Sequence, residues 1–243
     1  MINSLVLLLV LPLYTVLAGA VGIPYALITG KAGILYGLGR LGARLGFALA
    51  GIRIVVRGEK LPENPHFIYM MNHSSNLDVP AVFINLPGEV RALGKKELFK
   101  LPVLSTAMRI GGFVPVDRSN REAAIESVRK AARVAREGAS FLIAPEGTRS
   151  RTGKVLPFKK GAFYLAIDSG VPVQPVVVRG VHELMPPGSF SIRSGTIELI
   201  FLEPIPTRDY STKERTRLME EVRNRIVEAY EAKAPNHELM MSS

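Results

Sequence analysis

Apolar positions fall into two regimes along this chain. Residues 1–30 carry no charged side chain, and Ile2 to Ile28 is apolar almost throughout. At about 1.5 Å per residue, a helix of that length can cross a bilayer core. Pro12 and Pro24 are expected to kink it. Lys31 and Gly33 mark a turn, and helical periodicity then predicts a second helix over Ala32–Ala50. On its wheel Ile34, Leu38, Leu41, Leu45 and Leu49 share one face. Gly39, Gly42, Ala43, Gly46 and Ala50 line the next, and Arg40 and Arg44 lie on a third. The small residues allow close backbone approach, which predicts a hairpin packed on itself. Carrying each arginine to mid-bilayer would cost about 2.5–3.5 kcal/mol. The expectation is a hairpin entering one leaflet with its arginines at lipid phosphates; a single crossing by the first helix is the alternative. A cleaved signal peptide is not expected, because no basic residue precedes the apolar run and the run is too long.

From Gly51 onward short apolar runs alternate with amphipathic ones. Strands are predicted at Ile52–Val56, Phe67–Met71, Val90–Leu93, Phe113–Val116, Phe141–Ala144, Val173–Val178 and Thr196–Phe201. Helices are predicted at Asp78–Asn85, Phe99–Arg109, Arg121–Glu137, Lys159–Asp168 and Lys213–Glu231, with Ser119 and Glu122 as a capping box. Several strand runs are continuously apolar, as expected when both faces of a sheet are covered. The fold class is α/β: a mixed, largely parallel sheet flanked by helices, preceded by a two-helix membrane-binding hairpin. The expected domains are residues 1–51 as anchor and 52–243 as the α/β unit.

Composition narrows the function. The absence of cysteine removes disulfides, thiolate metal ligands and a cysteine nucleophile. A formal net charge of +10 favours acidic partners such as phosphates, anionic membrane lipids or an acidic carrier protein. Nucleic acid is disfavoured, since Trp is absent and no basic segment interleaves aromatics. No metal site is expected, because His and carboxylates do not cluster at ligand spacing. Gly37–Gly42 matches G-x-G-x-x-G literally but follows no strand, so its glycines read as helix-packing residues.

Candidate chemistry gathers at predicted strand ends, where α/β folds carry their sites. Asn72-His73-Ser74-Ser75-Asn76-Leu77-Asp78 follows one strand and opens a helix. Along a single helix His73 and Asp78 would point about 140° apart, but a strand-turn-helix corner lets Asp78 hold one imidazole nitrogen while the other takes a proton. Ser74 and Ser75 lack a G-x-S-x-G elbow, so the base is expected to act on a substrate hydroxyl. Gly111-Gly112-Phe113-Val114-Pro115-Val116-Asp117-Arg118 delivers Arg118 beside a helix start, a position suited to phosphate. Phe141 to Ser150 delivers Glu146, Gly147, Thr148 and Arg149 to one loop, and Lys95 follows another strand as a further phosphate candidate. The plain alternatives are a histidine bonded in a polar turn, a surface Arg118–Asp117 pair, a structural Glu–Arg pair and a solvated lysine.

Taken in order, these blocks resemble the glycerolipid acyltransferase family, in particular the bacterial-type 1-acylglycerol-3-phosphate acyltransferases. The resemblance rests on N-H-x-x-x-x-D at Asn72–Asp78, G-x-[IVF]-x-[IVF]-x-R at Gly112–Arg118, E-G-T-R at Glu146–Arg149 and the proline-containing apolar block Val171–Pro175, covering about Leu61 to Val178. It implies that His73 is the general base on the sn-2 hydroxyl of lysophosphatidic acid and that Asp78 orients it. Acyl-CoA or acyl-carrier protein is the implied donor and phosphatidic acid the product. Arg118, Arg149 and Lys95 would hold the acceptor phosphate, and Glu146, Gly147 and Thr148 would shape that site. No cofactor is implied. The implied place is the cytoplasmic face of a cell inner membrane. Acylation of another acceptor, such as glycerol 3-phosphate or another lysolipid, and non-catalytic lipid binding are the rival readings; the latter needs no His–Asp pair.

Overall fold

The computed structural model describes residues 2–63, 66–117 and 119–232. The apolar N-terminus forms a continuous helix α1 (Ile2–Thr29) through both prolines, and Gly30 and its neighbours turn the chain into α2 (Gly33–Ala50). Among the described residues seven strands follow: β1 (Ile52–Gly58), β2 (Ile68–Met71), β3 (Val90–Lys95), β4 (Val114–Val116), β5 (Ser140–Ile143), β6 (Val173–Arg179) and β7 (Gly195–Phe201). They form one sheet in the order β1-β7-β6-β2-β5-β3-β4. The five from β6 to β4 are parallel, and β7 joins β6 antiparallel. The expected mixed, largely parallel sheet is therefore borne out.

Strand β2 shows why its run is apolar without alternation. Its four residues are all buried, Ile68 and Met70 toward one face and Tyr69 and Met71 toward the other. The first face is covered by α5 (Arg121–Arg136), α6 (Lys160–Ser169) and α8 (Arg215–Glu231). The second is covered by α3 (Asp78–Phe83), the short α7 (Val181–Leu184) and the end of the N-terminal hairpin.

Three expectations change. The helix predicted over Phe99–Arg109 is a 3-10 turn (Lys96–Lys100) and a separate α4 (Leu104–Ile110). Pro102 disfavours helix at Leu101. Val103 then takes a γ-turn with φ 63° and ψ −61°, closed by Leu104 N donating to Pro102 O at 2.6 Å. That conformation is strained for a β-branched residue. It is held because Val103 fills the gap left by Gly19 of α1, where any Cβ would overlap it. The cap of α5 is Asn120, accepting from Ala123 N, while the Ser119 hydroxyl donates instead to Asp117. The S-x-x-E signal further on was the informative one: Ser211 and Glu214 form the capping box ahead of α8.

The third change concerns the arginines of α2, which bond to carbonyls of the sheet domain. Arg40 donates to the carbonyls of Phe83, Leu86 and Gly88, and Arg44 donates to Ile84 O at 3.3 Å. A helix as short as α3 leaves its last carbonyls without intrahelical partners, and a guanidinium fork supplies several donors at once. The Tyr36 hydroxyl adds a bond to Gly111 O at 2.7 Å. The hairpin is thus bolted along the flank of the sheet domain. Arg40→Ala should lower the unfolding free energy in detergent by about 2 kcal/mol, the scale for hydrogen bonds from a charged donor. Denaturant titration checks this, and an unchanged midpoint would remove the capping role.

Candidate active site

Parallel strands bring their carboxyl ends to one edge of the sheet, and the sequence motifs lie there. Asn72 ends β2 in an unusual way. Its side chain donates to Val178 O and accepts from Val178 N, both at 2.8 Å, so an amide replaces the backbone ladder to β6. This frees the main chain at His73 to turn. No role was assigned to Asn72 from sequence; the signal was a buried-strand end followed at once by a residue able to give and accept.

Asp78, the first residue of α3, is fully buried. Its Oδ2 accepts from His73 Nδ1 at 2.7 Å, Ser74 N at 2.7 Å and Ser75 N at 2.8 Å. A carboxylate only accepts, so Nδ1 carries the proton and Nε2 keeps its lone pair. The two amides fix the oxygen, and the oxygen fixes the ring. Ser75 Oγ donates to Met185 O at 2.7 Å, which makes it part of the scaffold.

The loop after β5 grips the same residue from the other side. Glu146 Oε1 accepts from His73 N at 2.7 Å and Oε2 from Leu156 N at 3.1 Å, while Ser150 N donates to His73 O at 2.8 Å. Glu146, which the resemblance gives a part in shaping the phosphate site, is buried with both oxygens turned to backbone amides and braces His73. Burial pushes its carboxyl up to about 7; the His73 and Leu156 amides pull down, Asp78 pushes up and Arg223 pulls down. Gly147 sits at φ 69°, and its amide donates to Ala144 O at 3.1 Å to close the turn, so that amide shapes the loop.

Of the expected phosphate ligands, Arg149 lies beside the His–Asp turn, its Nη1 donating to Asn76 Oδ1 at 2.8 Å. Thr148 is exposed next to it. Lys95 ends β3, two strands from β2 and so about 10 Å along the edge. It is exposed and lies 3.7 Å from Glu97. Arg118 lies outside the described residues. Its neighbour Asp117 accepts from Lys96 at 2.6 Å and from the Ser119 hydroxyl and amide. These bonds, the lysine's first, hold the Asp117 carboxyl well below the usual range. Lys159 went unnoticed in the sequence: its stem and Nζ fold across Gly147, about 3 Å from where a Cβ would stand, which sets a second cation beside the Glu146–Arg149 turn.

Behind the site lies an apolar cavity of about 370 Å³ between the hairpin and the domain. Leu77 and Pro80, which flank Asp78, form one wall. Tyr14 and Gly19 of α1, Leu38 of α2 and Ala107 of α4 form others. Among the described residues no cluster of three or more His, Cys, Asp or Glu could hold a metal.

A buried acid aiming an imidazole from parallel strand ends, with cations on one side and an apolar chamber on the other, is equipped to activate a hydroxyl next to a hydrocarbon chain. The family model for acyltransferases matches residues 53–179, more than half of the 243, and the chain belongs to that family. It is similar to a 1-acyl-sn-glycerol-3-phosphate acyltransferase from Cocos nucifera (33% identity over 81% of this chain and 63% of that protein) and to the human alpha form (29% over 75% and 65%). The chain thus spans a little under two thirds of these relatives. The crystal structure of the 1-acyl-sn-glycerophosphate (LPA) acyltransferase PlsC from Thermotoga maritima superposes with a TM-score of 0.84 at 26% identity, over 97% of both chains. The resemblance read from the four blocks is borne out.

Because Glu146 binds its proton more tightly in the fold than in the unfolded chain, that stabilisation is complete below about pH 4.5 and is lost as pH rises through about 7. Glu146→Gln removes the titration. The stability of Glu146→Gln relative to the parent should therefore rise between about pH 5 and about pH 8. Denaturation midpoints at the two pH values test it, and a constant gap would exclude a raised carboxyl.

Proposed function

We propose that this protein transfers an acyl chain from a thioester, acyl-CoA or acyl-carrier protein, to the sn-2 hydroxyl of 1-acylglycerol 3-phosphate at a membrane surface, giving phosphatidic acid. The observation that carries the reading is the triply bonded Asp78 oxygen, which leaves His73 one tautomer and one free lone pair. His73 Nε2 takes the hydroxyl proton as the oxygen attacks the thioester carbonyl. Asp78 stabilises the imidazolium, which returns the proton to the departing thiolate. No enzyme nucleophile is required: cysteine is absent and Ser75 Oγ is committed to Met185 O. Arg149 and Lys159 beside the His73 turn would hold the acceptor phosphate, with Lys95 as a further cation; the four-block resemblance adds Arg118 to that set. The apolar cavity takes an acyl chain.

The position of α1 supports the anchor reading. One of its faces packs on α2 and α4, while Leu8, Leu9, Leu13, Val16, Leu17 and Val21 are exposed on another. If α1 crossed a bilayer, the charged turn that leads into Val103, beside mid-helix Gly19, would be dragged into hydrocarbon. The hairpin therefore lies in one leaflet at the cytoplasmic face, where thioester donors are made.

His73→Ala should cut kcat by about 10²–10⁴ with vesicle binding retained, whereas Arg149→Ala should raise KM for the lysolipid more than it lowers kcat. Turnover of labelled lysophosphatidic acid with each thioester measures both. Full activity of the histidine variant would leave lipid binding without catalysis as the surviving reading. Ala107→Phe, which fills the cavity, should shift the products toward shorter acyl chains by mass spectrometry of the phosphatidic acid; an unchanged profile would remove the cavity from substrate binding.

A further inference from the structure

The exposed apolar surface does not stop at α1. Two loops of the sheet domain border that helix. Val103 follows the 3-10 turn and packs at Gly19, while Ile192 lines the shared cavity together with Leu7 and Leu11. Each loop carries large apolar side chains turned outward. Beside Val103 these are Leu98 and Leu101, 41% and 48% exposed; beside Ile192 it is Phe190, 84% exposed. The Phe190 loop is ordered by its own bonds: Ser189 N donates to Pro186 O, Ser191 N to Ser189 Oγ, and Arg193 N to Leu184 O. An ordered tip presenting a phenylalanine to water beside an apolar helix fits an interface that is covered in use. Basic side chains accompany both loops, namely Lys95 and Lys100 on one and Arg193 on the other, with Glu97 the acidic neighbour, set against Lys95. Outside α1 and these two loops, the exposed large apolar residues among the described residues are Leu41 on α2, Val56 on the edge strand, Val79 on α3, Ile125 on α5, and Tyr164 on α6, over which the Arg215 guanidinium lies.

We infer that the catalytic domain docks on a bilayer containing anionic lipid through two contacts of its own, Phe190 and the Leu98–Leu101 turn, which flank α1 and hold the cavity between them at the level of the lipid. The inference rests on the membrane reading above and adds to it: the anchor alone would tether the domain, whereas three separated contacts fix its tilt. The leucines and the phenylalanine enter the interfacial zone, and Lys100 and Arg193 meet headgroup phosphates.

The natural chain has no tryptophan, so a single one reports alone. Phe190→Trp, Leu101→Trp and, as the control, Tyr164→Trp are made in the full chain and mixed with phosphatidylcholine–phosphatidylglycerol vesicles, with and without brominated acyl chains. Emission at 190 and 101 should fall about twofold or more in brominated vesicles, with 164 unchanged. Protein that sediments with the vesicles yet shows no quenching at 190 and 101 overturns the inference and leaves the anchor standing. Protein that does not sediment overturns the membrane reading itself. A response at 190 to an acidic acyl-carrier protein without lipid quenching would assign the patch to a protein partner and overturn the lipid assignment.

Discussion

One carboxylate oxygen organises this site. Asp78 Oδ2 collects three donors within 2.8 Å, two of them main-chain amides of the turn it closes. The amides are fixed by the chain path, so the oxygen cannot move without undoing the corner between β2 and α3. The third donor, His73 Nδ1, therefore inherits the rigidity of the backbone. A side-chain pair on a helix face would have had rotamer freedom at both ends; here only the imidazole retains any. The rest of the surroundings serve the same end. Asn72 stops the ladder so that the corner can form, and Glu146 and Ser150 hold both backbone groups of His73.

The same corner joins polar chemistry to an apolar chamber. Leu77 and Pro80, one residue before Asp78 and two after it, face the cavity. Its far walls are the hairpin, and the hairpin is locked to the domain by Arg40 and Arg44 on the carbonyls around α3. The acid, the chamber floor and the hairpin's attachment are thus consecutive features of one short helix.

Much of this was legible in the sequence, and the reasons are physical. Strand β2 reads correctly because burial on both faces demands an unbroken apolar run. The His–Asp pairing reads correctly because the corner was foreseeable from Pro80 and the polar residues before it. Tertiary partners were not legible. Arg40 and Arg44 looked like lipid ligands on a helical wheel, but their carbonyl partners lie some 40 residues away. Glu146 sat in a loop with an arginine and read as shaping the phosphate site or pairing with that arginine, whereas its partners are amides on two other segments. Lys159 carries no local motif; only the fold lays it over Gly147. The helix break itself has a local signal in Pro102, but the strained turn at Val103 is accommodated by a glycine in another element, which no local window contains.

The proposed reaction joins a water-borne thioester to a lipid alcohol and so needs a boundary between solvents, which two kinds of secondary structure can supply. Strand ends supply the polar half, because parallel strands leave unpaired backbone groups and short loops along one edge where charged side chains can be set. Helices supply the apolar half, because only they satisfy their own backbone beside lipid. The sheet alone would expose its site to water, and the hairpin alone has no groups with which to move a proton. Their junction at α3 is where a base can stay hydrated enough to exchange its proton while the chain it works on stays out of water. Under the proposed function the imidazole reaches across: its Nδ1 edge is held against a buried acid, and its Nε2 edge would be left to the substrate.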